Sequence, residues 1–265
     1  MAPWRPATGW ALFASSIIFV SAAISHGLES GARGGVAALL AWMITRELAP
    51  KRMLPSLLAP FAAVAWAIPA ETDLLACVTV LLAARIASRT VGAPPTGFDC
   101  VVLIALAGWA ATRPAGLPVA LVLAAILFTS ARGLTRTRVA GLVALIVVLF
   151  VGSVEGTLTL RPEWEHANLA VQVLYAFAVA AALLLLLRPL PTVLAVRDDR
   201  RTRNLHGVDI RAARLAVVAA VLAAAVWQGT TGVFAVSSAA AALLAAGIGG
   251  SGQQTARRPS GTLSA

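Results

Sequence analysis

Apolar runs follow one another almost without pause along this chain, and they limit what it can fold into more than any motif does. They occupy residues 10–25, 35–49, 54–70, 74–88, 98–112, 117–131, 139–154, 169–187, 212–229 and 232–250, each bounded by charge, glycine or proline. A water-soluble domain must cover its apolar segments with polar chain, and little is available: 59% of the 265 residues are hydrophobic and 12% charged. Soluble domains carry about a quarter charged residues. The expected architecture is therefore all-α: a polytopic transmembrane helical bundle of about ten spans over residues 1–250, with no soluble domain and a polar tail at 251–265. Several runs fall short of the ~20 residues that a ~30 Å hydrocarbon core asks of a helix, so re-entrant or core segments are the alternative.

The distribution of charge decides between these readings. If ten helices cross and both termini lie in the cytoplasm, the outer face receives Arg33, Arg113 and Arg161 alone, and every other basic residue lies inside. The acids divide differently, with Glu29, Glu71, Asp73, Glu155, Glu163 and Glu165 outside. A basic inner face opposite a mildly acidic outer one is the positive-inside pattern. Folding the third and fourth runs back would hold Glu71 and Asp73 in hydrocarbon, and folding back the fifth and sixth would do the same to Arg113. Each such burial costs several kcal/mol. The last pair is less constrained, because its connecting turn, WQGTTG, carries no charge.

Lys51 is the only lysine, so the positive charge is almost wholly arginine and does not titrate at physiological pH. The longest inner segment, 189–211, contains RDDRRTRNLHGVDIR; it has no aromatic residue for base stacking and no repeated aspartate motif, so nucleic acid is not an expected partner. Anchoring to anionic headgroups is the expected role of this loop. Cys77 and Cys100 fall at opposite ends of neighbouring spans, too far apart for a disulfide. The first run follows Arg5 in the outline of a signal peptide, and because further spans follow at once it is expected to stay as an uncleaved first span.

Candidate sites are sparse. Arg85 and Arg89 lie four apart at one helix end and, with Arg46, Glu47 and Asp99, form the group expected to meet an anionic group or lipid headgroup at the inner mouth. Gln172, Tyr175 and Gln228 are the polar residues expected to line a substrate pocket within the spans. Outside, Glu155, Glu163, Glu165 and His166, like His26 with Glu29, lack metal-ligand spacing. Pro60 and Pro118 are expected to kink or break the third and sixth helices.

No GxSxG, P-loop, paired CxxC or HExxH is present, so the strong local signatures of those chemistries are missing and no metal or cofactor is implied. Helix count and size resemble compact transporters made of two five-helix halves, such as the drug/metabolite transporters, a likeness of architecture alone. The leading expectation is a plasma-membrane carrier or exporter of a small organic solute. Its rivals are a membrane enzyme acting on a lipid-linked or phosphorylated substrate through Arg85, Arg89, Glu47 and Asp99, and a non-catalytic accessory subunit.

Overall fold

The computed structural model describes residues 6–49, 53–67, 72–88, 96–129, 135–160, 180, 193–197 and 202–248. Helix α1 (Pro6–His26) and α2 (Leu28–Leu48) are separated by Gly27 alone, whose φ of 89° is a backbone state that side chains disfavour. The reversal is tight enough that a Cβ on Gly35 would lie 3.3 Å from the Ser15 carbonyl. Helix α2 starts seven residues before the apolar run because Glu29 and Arg33, whose charges end the run in sequence, form an i,i+4 ion pair of 2.6 Å on its surface.

Four helices follow: α3 (Met53–Ala67), α4 (Leu74–Ser88), α5 (Gly97–Ala111) and α6 (Gly116–Thr129). Neither proline breaks its helix. Helix α3 continues through Pro60, and Pro118 sits in the first turn of α6, where its missing N–H has no intrahelical acceptor to lose. Helix α7 (Thr135–Val154) packs against α5 and α6, and two close approaches define the contact. A Cβ on Gly141 would lie 2.5 Å from the Phe128 amide nitrogen, and one on Gly108 would lie 2.9 Å from a Val147 methyl.

The described residues are helical, as expected, apart from one hairpin. Within the basic segment, β1 (Val193–Arg197) and β2 (Thr202–His206) form an antiparallel hairpin with Val193 opposite His206 and Arg197 opposite Thr202. Val193, Val196 and Thr202 are β-branched, and they flank the charged stretch that had drawn attention to the loop. Strand β2 leads directly into α8 (Gly207–Gln228), followed by the short α9 (Thr230–Ala235) and α10 (Ser237–Ile248).

Helices α2, α4, α8 and α10 share the central core, with Ile44 and Leu48 meeting Val80, Val217, Val221 and Leu243. On one flank, Leu103 of α5, Leu123 and Leu127 of α6 and Val148 of α7 close against Ala83 of α4. On the other, Ala59 and Ala63 of α3 meet Ala41 of α2 and Ala240, Ala241 and Ala245 of α10, with α1 packed on α2 and α3.

Among the described buried apolar residues, alanine outnumbers all other types together. Many large side chains point outward: Trp10, Phe13 and Ile17 on α1, Phe98 and Trp109 on α5, Val139, Leu142, Ile146 and Phe150 on α7, and Leu215, Leu222 and Val226 on α8. Two described helices are long and apolar enough to cross a membrane, through Thr137–Val154 (mean hydropathy 2.3) and Val208–Gln228 (mean hydropathy 1.9). Only a third of the first stretch is buried, so an interior position does not account for its apolar character.

Candidate functional site at the Glu47 end

Helices α2 and α4 both finish at one end of the bundle, and α8 begins there. Glu47 occupies the last turn of α2; Arg85 and Ser88, three apart and so on one face, occupy the last turn of α4. The Glu47 Oε1 accepts a hydrogen bond from Arg85 Nε at 3.2 Å, and Oε2 accepts one from Ser88 Oγ at 3.1 Å. The carboxylate side chain is 10% exposed and that of Arg85 34%. The next carbonyl, that of Leu48, accepts from Nε of the buried Arg214 at 3.3 Å. A cation thus meets one of the unpaired carbonyls at the negative end of α2. Arg46, one residue before Glu47, holds its guanidinium 5.3 Å from the centre of the Trp42 ring.

Of the five residues expected to form an anionic-group site, Arg46, Glu47 and Arg85 come to this end, with Glu47 and Arg85 in direct contact. Asp99 is engaged elsewhere: it is exposed and completes a capping box on α5, accepting from the Thr96 amide (2.7 Å) and hydroxyl (2.8 Å). Arg89 lies outside the described residues, as do Gln172 and Tyr175. Gln228 is half-buried at the end of α8, where its carbonyl accepts from the Thr231 hydroxyl at 2.7 Å.

Two members of the cluster were not anticipated. Ser88 was signalled only by its spacing from Arg85, and Arg214 lies just past the segment expected to lie on headgroups, at the start of the next apolar run, where it is 5% exposed and bonded to α2.

The opposite end is built from different groups. Oδ1 of Asp73 accepts from the amides of Leu75 (3.0 Å) and Ala76 (3.2 Å), capping α4, and from Arg113 Nη1 (3.0 Å). Its own amide donates to the Ala235 carbonyl at 3.0 Å, which also accepts from Cys77 Sγ at 3.5 Å. That carbonyl lies at the interruption between α9 and α10. The Thr72 and Ser237 hydroxyls are 2.9 Å apart there, and Ser238 Oγ donates to the Ala37 carbonyl at 2.9 Å.

Gly229 turns the chain at a φ of 63°, and Gly232 presses α9 against the Ala224 carbonyl of α8, leaving no room for a Cβ. Beside this turn, Trp227 Nε1 donates to the Thr157 carbonyl at 3.1 Å and Thr157 Oγ1 donates to the Ala111 carbonyl at 2.9 Å. Glu47–Arg85 and Asp73–Arg113 each join residues that the charge parity assigns to a single face.

Ser88 Oγ touches a carboxylate that is at the same time paired with the Arg85 guanidinium. Among the described residues no group of three or more His, Cys, Asp or Glu is placed to hold a metal ion. No protein-family model matches this chain, and it has no match among curated proteins or solved structures.

Proposed function

We propose that this chain is a multi-pass plasma-membrane protein of about ten spans, with both termini cytoplasmic, that carries or exports a small organic solute. The reading as a carrier rests above all on the interrupted helix α9–α10, whose buried main-chain and hydroxyl groups bond to the start of α4 instead of continuing one helix. Broken helices of this kind leave main-chain groups to face a solute or ion inside a membrane protein, and they are a recurring device of secondary carriers. Membrane embedding is supported by the inverted distribution of side-chain size. Small residues in the interior allow close helix approach, while outward stripes of large apolar residues suit lipid contact.

The rival reading as an interfacial enzyme needs Asp99 beside Glu47 and Arg85, and the capping role of Asp99 disfavours it.

Two measurements test the proposal. In intact cells, a membrane-impermeant maleimide should label a Glu155→Cys variant and spare an Arg138→Cys variant; labelling of both, or release of the protein by carbonate without detergent, overturns the topology. In proteoliposomes, a solute panel ranked by thermal stabilisation should yield at least one solute with saturable flux. Stabilisation without flux overturns the carrier assignment.

A further inference from the structure

We infer that Arg85 is the receptor for an oxyanionic group of the solute, a carboxylate or phosphate, and that Glu47 and Ser88 are its positioning residues. This deepens the carrier reading and rests on it for the identity of the ligand as a solute.

Among the described residues, Arg85 finds a side-chain partner for Nε alone. That nitrogen donates to Glu47, and the two terminal nitrogens make no hydrogen bond to a described residue, although a guanidinium carries five N–H donors in a fixed plane. The unused pair of donors lies along one edge of the group, the edge that binds two coplanar oxygens of a carboxylate or phosphate side by side. The side chain is 34% exposed, so that edge is within reach of a ligand, whereas Glu47 behind it is 10% exposed.

A single long side chain would sweep a wide volume and lose that freedom on binding. Here the sweep is restricted: Glu47 grips the guanidinium at Nε, and Ser88, fixed one turn further along the same helix, holds the second oxygen of Glu47. Glu47 also offsets the charge of Arg85 without covering its binding edge. Buried Arg214, tied to the neighbouring Leu48 carbonyl, holds the end of α2 in place and adds positive charge beside the cluster.

The test uses full-length protein in phosphatidylcholine nanodiscs, titrated with acetate or inorganic phosphate at constant ionic strength, with acetamide as the uncharged control. Acetate or phosphate should raise the Tm saturably and acetamide should not. Arg85→Gln should abolish the shift, and Arg85→Lys, which keeps the charge and loses the paired donors, should weaken it. Ser88→Ala and Glu47→Gln should each change the affinity, Ser88→Ala by loosening the grip on the guanidinium and Glu47→Gln by removing both that grip and a negative charge beside the site. Arg33→Gln should leave it unchanged.

An oxyanion shift that persists unaltered in Arg85→Gln, or in Glu47→Gln should Arg85→Gln fail to fold, overturns the assignment. So does a shift given only by phosphatidylglycerol in the nanodisc, which makes the ligand a headgroup. Flux of an uncharged solute with no oxyanion shift removes this site and leaves the carrier. Binding through Arg85 without flux upholds the site and removes the carrier.

Discussion

The Glu47 end and the Asp73 end of the bundle tie the same central helix, α4, to its neighbours by different means. At the Glu47 end the ties pass between side chains and converge on one carboxylate, with a donor edge of Arg85 left over. At the Asp73 end the main chain takes part: an amide and a carbonyl at a helix interruption are bonded, beside a hydroxyl pair and the Asp73–Arg113 ion pair. Side-chain ties can be exchanged for a ligand without moving a helix, whereas main-chain ties cannot. The Asp73 end is accordingly expected to be the more rigid and the Glu47 end the more responsive to small molecules.

Substitutions should separate the two ends, and the largest effect is expected at the Asp73 end. A Gly232→Val change places a branched side chain against the Ala224 carbonyl with only backbone to yield, and should destabilise by at least about 3 kcal/mol. Loss of the monodisperse peak in detergent chromatography would register it; a folded Gly232→Val protein of ordinary Tm would mean that α9 is not packed as described.

Glu47→Ala should cost about 2–3 kcal/mol, since it removes the charged acceptor that Arg85 and Ser88 share. Thermal unfolding should also show it to be non-additive with Arg85→Ala, and additivity would place the two in separate roles.

Ser238→Ala, which removes a single tie from α10 to the Ala37 carbonyl, should cost about 1 kcal/mol. Removing the cap with Thr96→Ala should cost about 0.5–1 kcal/mol and leave oxyanion binding unaltered, because Asp99 stands apart from the cluster. Arg33→Gln, at an exposed pair belonging to neither end, should stay within about 0.5 kcal/mol. An effect on oxyanion binding from either of the last two would erase the distinction drawn between local charge pairs and the Glu47 cluster.

What the sequence displays plainly is whatever depends on spacing along one helix or on charge at a run boundary. The helices of the described runs, the grouping of Glu47 with Arg85 and the separation of the two cysteines all follow from that. Features made by tertiary approach are not displayed. Gly232 reads as one more glycine until α8 is seen pressing against it. Arg214 reads as one more basic residue of the inner face, yet burial and a bond to α2 set it apart. The hairpin was masked by its own charges, since Val193–Arg197 is too short to announce a strand when the eye follows arginines. Pro60 misleads in the other direction, because a proline removes one donor and a packed helix tolerates that loss.

Helix α5 has both ends defined, by Thr96 and Thr112, and contains 15 residues, which is about 22 Å of helix. A typical hydrocarbon core is ~30 Å thick. In a bilayer the lipid beside α5 would have to thin toward Trp109 and Phe98, at a cost of a fraction of a kcal/mol for each ångström of mismatch. The surrounding acyl-chain length therefore becomes a variable of the protein itself: vesicles of short-chain lipid should relieve a strain that long-chain lipid imposes, and the molecule should gather in the thinnest membrane a cell offers.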